Sequence, residues 1–189
     1  ATGREVGGAH QLEIRPGAVD YRGPGYLFTA FSCESVFALA RTSSPDRDRA
    51  YLYDTPASDR LTCRAELVKL QGGGQLSSVQ GYEEVYAVAN SPDQPDAVDR
   101  AVFYGSAAVE RFLSRPKFSW LRGGNRFHHA RGFDEVLAVG DSQDTAKLFG
   151  GDGRDTFVGR TSTSTLRRQD TGAGGTVKST VSGFGEVAA

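Results

Sequence analysis

The sequence has no methionine, only two cysteines and one tryptophan among its 189 residues, and no long hydrophobic run. A membrane-spanning helix needs about 20 consecutive apolar residues, so we expect no membrane span. No signal-peptide pattern is present. Because the chain has no methionine, we expect that Ala1 is not a translation start and that the chain is a processed product or a segment of a longer protein. Two cysteines cannot complete a zinc site alone. Cys33 and Cys63 are expected either as one disulfide of an exported protein or as two buried free thiols.

Charge of one sign is also not in excess, because 22 Lys and Arg residues face 23 Asp and Glu residues and the formal net charge is −1. We therefore expect no attraction to nucleic acid or to an anionic membrane. Hydrophobic residues make up 38% of the chain, which allows a core. The 24 glycines, together with many β-branched and aromatic residues, favour strands and turns over helices. The composition thus predicts an all-β protein.

An internal repeat of about fifty residues runs through the chain. Four copies of a valine-centred block place Val36, Val85, Val136 and Val187 at spacings of 49, 51 and 51 residues. Three further blocks follow in a fixed order. Copies of the second lie at 49–54, 100–105 and 145–150, and copies of the third lie at 59–64, 110–115 and 155–160. Copies of the fourth lie at 67–73, 118–124 and 164–167, with a first copy at 12–17. Such order indicates a tandem repeat. We expect one array over 1–189, with units 12–61, 62–112 and 113–157 and a truncated unit 158–189.

Each block has the composition of a short strand, and the stretches between blocks are rich in Gly, Pro, Ser and Asp, as loops are. The valine block is apolar at successive positions, which predicts a strand buried on both sides. One unit of four strands cannot bury its apolar face alone, whereas stacked units can. The sequence therefore predicts a β-solenoid or β-roll-like array, with a β-sandwich or barrel built from the repeats as the alternative.

A glycine-rich turn in the third unit fits the calcium-binding nonapeptide GGxGxDxUx. Glycines permit the tight turn, and carboxylate oxygens suit a hard cation. The candidate calcium ligands are Gly150, Gly151, Asp152, Gly153 and Asp155. The equivalent segments 54–61 and 105–112 keep the acid but lose the glycines. The alternative is a carboxylate that accepts hydrogen bonds from turn amides in front of a strand.

Two polar columns recur at equivalent positions. Acids at Asp59, Glu110 and Asp155 are followed five residues later by arginines at Arg64, Arg115 and Arg160. These pairs predict either a stacked ion ladder or an arginine face that binds acidic glycans or a partner protein. A second basic column is expected at Arg15, Arg122 and Arg167, with Gln71 interrupting it.

Aromatic and histidine residues give weaker indications. Tyr26, Tyr82, Tyr86, Tyr104 and Trp120 are candidates for stacking on sugars, although aromatic residues at repeat-equivalent positions are more often core residues. His128 and His129 are adjacent, so on a strand they point to opposite faces and make a poor chelate. No nucleophile elbow, phosphate-binding glycine loop or HExxH motif is present.

The repeat resembles a known type. The pattern of residues 132–157 is similar to the GFDxVxAxAxxGGTDTAxLYDSxGNDTF units of very large secreted and surface proteins of bacteria, notably planctomycetes, and segment 48–61 keeps the Leu-Tyr-Asp core of that unit. Those units are distantly like haemolysin-type calcium-binding repeats. The resemblance implies an extracellular, modular and non-catalytic segment.

We therefore expect a structural or adhesive module of a secreted or cell-surface protein that assembles end to end with itself or with other surface proteins and glycans, since unpaired strand edges at the ends of an array invite pairing. A carbohydrate-binding module is the first alternative. A solenoid enzyme acting on polysaccharides is the second, for which His128, His129 and Asp152 are the copy-specific candidates.

Overall fold

The structure, a computed structural model, describes residues 9–40, 47–89, 97–169 and 176–189, and within these ranges it contains nineteen β-strands and no helix. In chain order the strands are β1 Gln11–Arg15, β2 Ala18–Gly23, β3 Tyr26–Phe31, β4 Ser35–Leu39, β5 Arg49–Tyr53, β6 Arg60–Cys63, β7 Leu67–Gly72, β8 Gln75–Gln80, β9 Glu84–Val88, β10 Arg100–Tyr104, β11 Glu110–Arg115, β12 Phe118–Gly123, β13 Arg126–Arg131, β14 Glu135–Val139, β15 Thr145–Leu148, β16 Arg154–Gly159, β17 Thr163–Gln169, β18 Thr176–Ser182 and β19 Glu186–Ala188. The described part of the chain thus has no helix that could cross a membrane.

The strands form two large open sheets that share one core. Sheet A has the order β19-β15-β11-β12-β13-β9-β5-β1-β2-β3, and sheet B has the order β16-β17-β18-β14-β10-β6-β7-β8-β4. Side chains alternate along each strand, so one face of each sheet points toward the core and the other face points outward. A single cluster of buried hydrophobic residues draws on strands of both sheets.

The repeat forms a unit of five strands. The first three make an antiparallel meander in one sheet, the fourth crosses to the other sheet, and the fifth returns. The units are β1–β5, β6–β10, β11–β15 and β16–β19. The meanders of the first and third units lie in sheet A, and those of the second and fourth lie in sheet B. Successive units therefore alternate between the two sides of the molecule.

Neighbouring units are joined by parallel strand pairs. These pairs are β4 with β8, β5 with β9, β9 with β13, β10 with β14, β14 with β18 and β15 with β19. Adjacent strands lie about 4.8 Å apart, so the ten strands of sheet A extend over about 45 Å. The array grows along this direction, perpendicular to the strands.

Small and large apolar residues repeat in the core because every unit meets the same inner environment. The fifth strands place Ala50, Ala101 and Ala146 at one inner position and Leu52, Phe103 and Leu148 at the next, and all six are buried. The fourth strands do the same with Val85, Ala87, Val136 and Ala138. A small residue beside a larger one at each level lets the facing sheets interdigitate.

The expected all-β class is confirmed, with differences in detail. The barrel alternative does not describe the fold, because neither sheet is closed. Each complete unit has five strands where four were expected, since β3, β8, β13 and β18 lie in stretches that were interpreted as loops. The expected unit boundaries after residues 61, 112 and 157 fall inside β6, β11 and β16.

Two local expectations also need correction. Block 12–17 belongs with β6, β11 and β16, because it forms the first strand of a meander, and the true counterpart of Arg122 and Arg167 is therefore Arg22 rather than Arg15. The valine block is not buried on both sides. In β9 Val85 and Ala87 are buried, whereas Tyr86 and Val88 lie half-buried on the outer face.

Candidate functional site

The recurring acids close the turn in front of the first strand of a unit. Oδ2 of Asp59 accepts hydrogen bonds from the amide and hydroxyl of Thr55, at 3.0 and 2.7 Å. The Glu110 carboxylate accepts the same two bonds from Ser106, both at 2.8 Å. Asp155 accepts one bond, from the Gly151 amide at 2.7 Å. Each acid therefore holds a turn, which is the alternative that the sequence left open for this column.

Burial raises the proton affinity of two of these acids, Asp59 and Glu110. Burial raises the pKa of Asp59, and the hydrogen bonds from Thr55 reduce that rise. Burial likewise raises the pKa of Glu110, with a further contribution from the neighbouring Asp144 carboxylate, while the Ser106 bonds act in the opposite direction. The caps are thus held in place by hydrogen bonds rather than by opposite charge.

A second acid column, not recognised in the sequence, lies directly in front of the fifth strands. Asp48, Asp99 and Asp144 are buried. Their Oδ1 atoms accept hydrogen bonds from the amides of His10, Asp59 and Glu110, at 2.9, 2.8 and 2.7 Å. Each bond links the start of the fifth strand to the start of the first strand of the same unit. The signal in the sequence was an aspartate preceding the second block in all three copies.

The first arginine column stacks on aromatic rings. The guanidinium carbon of Arg15 lies 5.2 Å from the ring centroid of Tyr53, that of Arg64 lies 4.3 Å from Tyr104, and that of Arg115 lies 4.6 Å from Phe149. The described residues contain no ion pair between this column and the acids Asp59, Glu110 and Asp155, so the ion ladder does not form.

The structure does not bring the three arginines predicted as a binding face onto one surface. Arg115 ends β11 in sheet A, whereas Arg64 and Arg160 follow β6 and β16 in sheet B. The reason is the alternation of meanders between the sheets. A column that repeats at every unit is divided between opposite sides of the molecule.

Four of the five predicted calcium ligands, Gly150, Gly151, Asp152 and Gly153, lie in the turn before β16, and Asp155 lies in β16 itself. Gly150, Gly151 and Asp152 are exposed. The Asp155 carboxylate is directed at the Gly151 amide, and its Oδ1 is buried without a hydrogen-bond partner. Across the part of the chain that the structure describes, no group of three or more acidic, histidine or cysteine side chains is placed to hold a metal ion.

The cysteines lie in the β3–β4 connection and on β6, and the two adjacent histidines lie on β13. Cys33 and Cys63 are free thiols, and Cys63 lies in the core, where burial raises the pKa of its thiol. His128 points into the core and His129 points outward, as expected for neighbours on a strand. Nε2 of His128 is buried without a hydrogen-bond partner, and burial lowers the pKa of this imidazole to about 4, with a smaller contribution from Arg126.

The candidate aromatic residues also have different environments. Tyr82 belongs to the core, and Tyr104 lies under Arg64. Tyr86 and Trp120 lie half-buried on the outer face of sheet A. The side chain of Tyr26 is outside the described residues.

The most unusual feature of the described surface is the end of the array formed by β3 and β4. These strands are the edges of sheets A and B, and each is paired on one side, β3 with β2 and β4 with β8. Nine large hydrophobic side chains are exposed in the described residues, and five of them lie here: Leu27, Phe28, Phe31, Phe37 and Leu39. A cleft of about 470 Å³ opens between the two edges and reaches core residues such as Leu12, Val19 and Tyr82.

Equivalent positions in the other units are covered. Phe28 is 58% exposed, whereas its counterpart His128 is 4% exposed and Ser179 is fully buried. Phe37 is 72% exposed, whereas its counterpart Tyr86 is half-buried. The cover inside the array is always a fourth and a fifth strand of the preceding unit. Strands β4 and β5 cover β8 and β9, β9 and β10 cover β13 and β14, and β14 and β15 cover β18 and β19.

No protein-family model matches the chain, and no curated protein or solved structure is found to be similar to it. The function is therefore inferred from the geometry of the site.

Proposed function

We propose that the chain is a non-catalytic structural repeat module of a secreted or cell-surface protein, and that it assembles end to end with further copies of itself. The observation that carries the proposal is the open β3–β4 end, with its exposed apolar side chains and its cleft into the core. Soluble proteins rarely leave such a patch on unprotected strand edges, because edges of this kind pair with other chains. The extracellular location rests on the resemblance of the repeat to units of secreted bacterial proteins.

The interface between units inside the chain defines what the open edge accepts. A third strand such as β13 or β18 pairs in parallel with the fourth strand of the preceding unit, β9 or β14. Strand β19 is a fourth strand and forms the other edge of sheet A. In a head-to-tail assembly β19 of one copy would pair with β3 of the next copy, and sheet A would continue without a break.

The register of this pairing follows from the internal pair. Phe127 and His129 lie opposite Glu84 and Tyr86. When this pairing is carried over to the equivalent strands β3 and β19, each two units away, Leu27 of one copy lies opposite Glu186 of the other and Thr29 lies opposite Ala188. In sheet B the edges that approach each other are β4, with Phe37 and Leu39, and β16, with exposed Phe157 and Val158. The repeat has one more strand, equivalent to β15, between those two edges.

Growth by this contact would make a linear array, the solenoid-like property that the repeat predicts. A head-to-tail contact joins two different surfaces, so each copy keeps one free end and association does not stop at a dimer. Burial of exposed phenylalanine and leucine side chains provides the driving force, and parallel strand pairing provides the direction.

The test uses two variants, each blocked at one end. Phe31→Lys with Phe37→Lys places charges on the β3–β4 end, and Phe157→Lys places one on the β16 edge. Sedimentation velocity over a range of concentrations is expected to show association for the unaltered chain and monomers for each variant alone. An equimolar mixture of the two variants should form a dimer and nothing larger, because one functional interface remains.

Val109→Lys is the matched control, since Val109 is an exposed apolar residue away from both ends, and it should associate like the unaltered chain. Thr29→Cys and Ala188→Cys in a chain with Cys33 and Cys63 replaced by serine should form intermolecular disulfides if the proposed register is right. An unaltered chain that is monomeric at every concentration would overturn the proposal. Association of the Phe157→Lys variant alone would instead indicate a two-fold contact through the β3–β4 end.

A further inference from the structure

The outer face of sheet A carries a continuous surface of aromatic rings, which we call the aromatic face. It consists of Tyr51 on β5, Tyr86 on β9, Phe127 and His129 on β13, and Phe118 and Trp120 on β12. All six side chains are half-buried. The core lies on the opposite side of the sheet, where their neighbours Leu52, Ala87, His128, Ala130, Ser119 and Leu121 are buried. These rings are therefore not part of the hydrophobic core.

The rings contact one another across four strands. The ring centroids of Tyr51 and Tyr86 are 5.1 Å apart and the rings are nearly parallel, at 13°. Tyr86 is 5.7 Å from His129, and His129 is 5.5 Å from Phe118. Phe127 joins the set at 6.1 Å from Trp120. The mutual packing fixes the rings and leaves an apolar strip whose outer edges meet solvent.

The repeat supplies a control for this surface. The residues Trp120, His129, Tyr86 and Tyr51 form a row of cross-strand partners on sheet A. The equivalent row on sheet B, one unit further along the chain, is Thr165, Thr180, Leu137 and Val102. The same backbone positions thus form a cross-strand row without aromatic residues. The aromatic face is a property of one side of the molecule and is not required by the fold.

Arginines without carboxylate partners flank the strip on both sides. Arg111 and Arg122 are cross-strand partners, and Arg131 lies opposite Phe118. All three are exposed, and within the described ranges none of them forms an ion pair. Four residues of extended strand separate the level of Arg122 from that of Arg131, so the two positive flanks are about 13 Å apart along the strand direction.

We infer that the aromatic face binds a linear acidic polysaccharide, with its pyranose rings against the aromatic strip and its carboxylate or sulfate groups on Arg111, Arg122 and Arg131. A pyranose presents C–H groups on its faces, which suit the negative π-surface of aromatic side chains. A guanidinium binds carboxylate and sulfate oxygens through two parallel N–H donors. A polymer with anionic groups at regular intervals can contact both positive flanks, whereas an isolated small anion contacts one.

This site differs from the arginine face expected from the sequence. That expectation used a column common to all units, and the structure divides such a column between the two sheets. The aromatic face instead uses residues in which individual units depart from the repeat. It is also independent of the β3–β4 end, because the tested side chains lie on β9, β12 and β13 rather than on the terminal strands.

The experiment measures binding by isothermal titration with four probes: polygalacturonate, which carries carboxylates, carrageenan, which carries sulfates, neutral dextran, and oligo-dT. The variants use residues that the repeat already has at the same positions. Trp120→Thr with Tyr86→Leu copies Thr165 and Leu137, and Arg122→Gln with Arg131→Gln copies Gln71 and Gln80. Arg167→Gln is the matched control, since Arg167 is the counterpart of Arg122 on sheet B.

We expect at least one of the two acidic polysaccharides to bind and dextran not to bind. The polymer that binds identifies the anion, carboxylate or sulfate. Both double variants should lose at least tenfold in affinity, and Arg167→Gln should lose less than twofold. The inference is overturned if neither polysaccharide binds, if the aromatic double variant binds as well as the unaltered chain, or if Arg167→Gln weakens binding equally. Oligo-dT binding with the same dependence on both double variants would assign the face to single-stranded nucleic acid instead.

Discussion

Acid should destabilise the fold through His128. This side chain is 4% exposed, and its Nε2 is buried without a hydrogen-bond partner. Burial lowers its pKa from 6.5 to about 4, so the folded protein holds this proton less tightly than the unfolded chain does. The stability that comes from keeping the imidazole neutral is present above pH 6.5 and is lost as the pH falls toward 4.

The size of the effect follows from the two pKa values. With a His128 pKa of 6.5 in the unfolded chain and about 4 in the folded protein, the linkage between protonation and folding lowers the free energy of unfolding by about 2 kcal/mol between pH 7 and pH 5. For a protein of this length, that loss corresponds to a fall of about 4–8 °C in the thermal midpoint. Other groups titrate nearby, so the effect of His128 has to be obtained by difference.

His128→Phe isolates the contribution of the imidazole. Phenylalanine is the residue at the equivalent position of the first unit, where Phe28 stands, and it has no ring nitrogen. At pH 7 the variant should be more stable than the unaltered chain by about 1–3 kcal/mol, because a buried unpaired polar atom is removed. At pH 5 the advantage should grow by about a further 2 kcal/mol.

Urea unfolding at pH 7 and pH 5, followed by the fluorescence of the single tryptophan, measures both quantities. Carboxylates whose pKa values are shifted, such as Asp59 and Glu110, are present in both proteins and cancel in the comparison. An advantage of the variant that is the same at both pH values would refute the reasoning, since it would mean that His128 does not titrate differently in the folded and unfolded states.

Three further predictions concern the repeat itself. Arg64→Ala removes the contact with Tyr104 and should lower the free energy of unfolding by about 0.5–1 kcal/mol in urea titrations, whereas Arg160→Ala, with no stacked ring in the described residues, should have almost no effect; equal losses would contradict a role for stacking. Gly132 and Gly25 both have positive φ, but a Cβ at Gly132 would overlap the Ala89 carbonyl. Gly132→Ala should therefore lower the free energy of unfolding by about 1–3 kcal/mol more than Gly25→Ala, and equal losses would refute the clash. If Asp155 acts only by accepting the hydrogen bond from the Gly151 amide, millimolar calcium should leave the thermal midpoint within about 1 °C of its value in chelator, whereas a rise of about 5–10 °C would support an ion at the glycine-rich turn before β16.

The sequence was informative wherever the same environment recurs. Positions such as Ala50, Ala101 and Ala146 meet the same inner surface in each unit, so the same residue types return at a fixed spacing and self-comparison finds them. The turn acids repeat for the same reason, because each must accept a hydrogen bond from a backbone amide of the turn in front of a strand. The hydrogen bonds show that these acids hold the turns in front of the first strands.

The third strand of each unit was missed because its environment does not recur. Its inner position holds Phe28, Ser77, His128 and Ser179 in the four units, and its outer positions differ as much. Ser179 is tied into a buried polar cluster with Ser114 and Arg168, whereas His128 has an unpaired Nε2. Backbone pairing within the meander holds these strands, and backbone pairing leaves little trace in side-chain types.

The alternation of successive meanders between the two sheets also cannot be predicted from the sequence of a single unit. It depends on the fourth and fifth strands pairing in parallel with strands of the next unit, as β9 does with β13 and β10 does with β14. These contacts join residues 43 and 35 positions apart in the chain. Because the sequence does not reveal this alternation, a column of arginines at every unit was expected to form one face.

Alternation also explains why core and surface follow different periods. Both sheets point toward one core, so inner positions such as Val85 and Val136 are equivalent after one unit of 51 residues. Their outer neighbours Tyr86 and Leu137 lie on opposite sides of the molecule and become equivalent only after two units, about 102 residues. Selection for a binding surface on one sheet can therefore change every second unit without disturbing the core of any unit. In a longer array of this kind, core positions should match at about 51 residues, and the residues of a functional face should match at about 102.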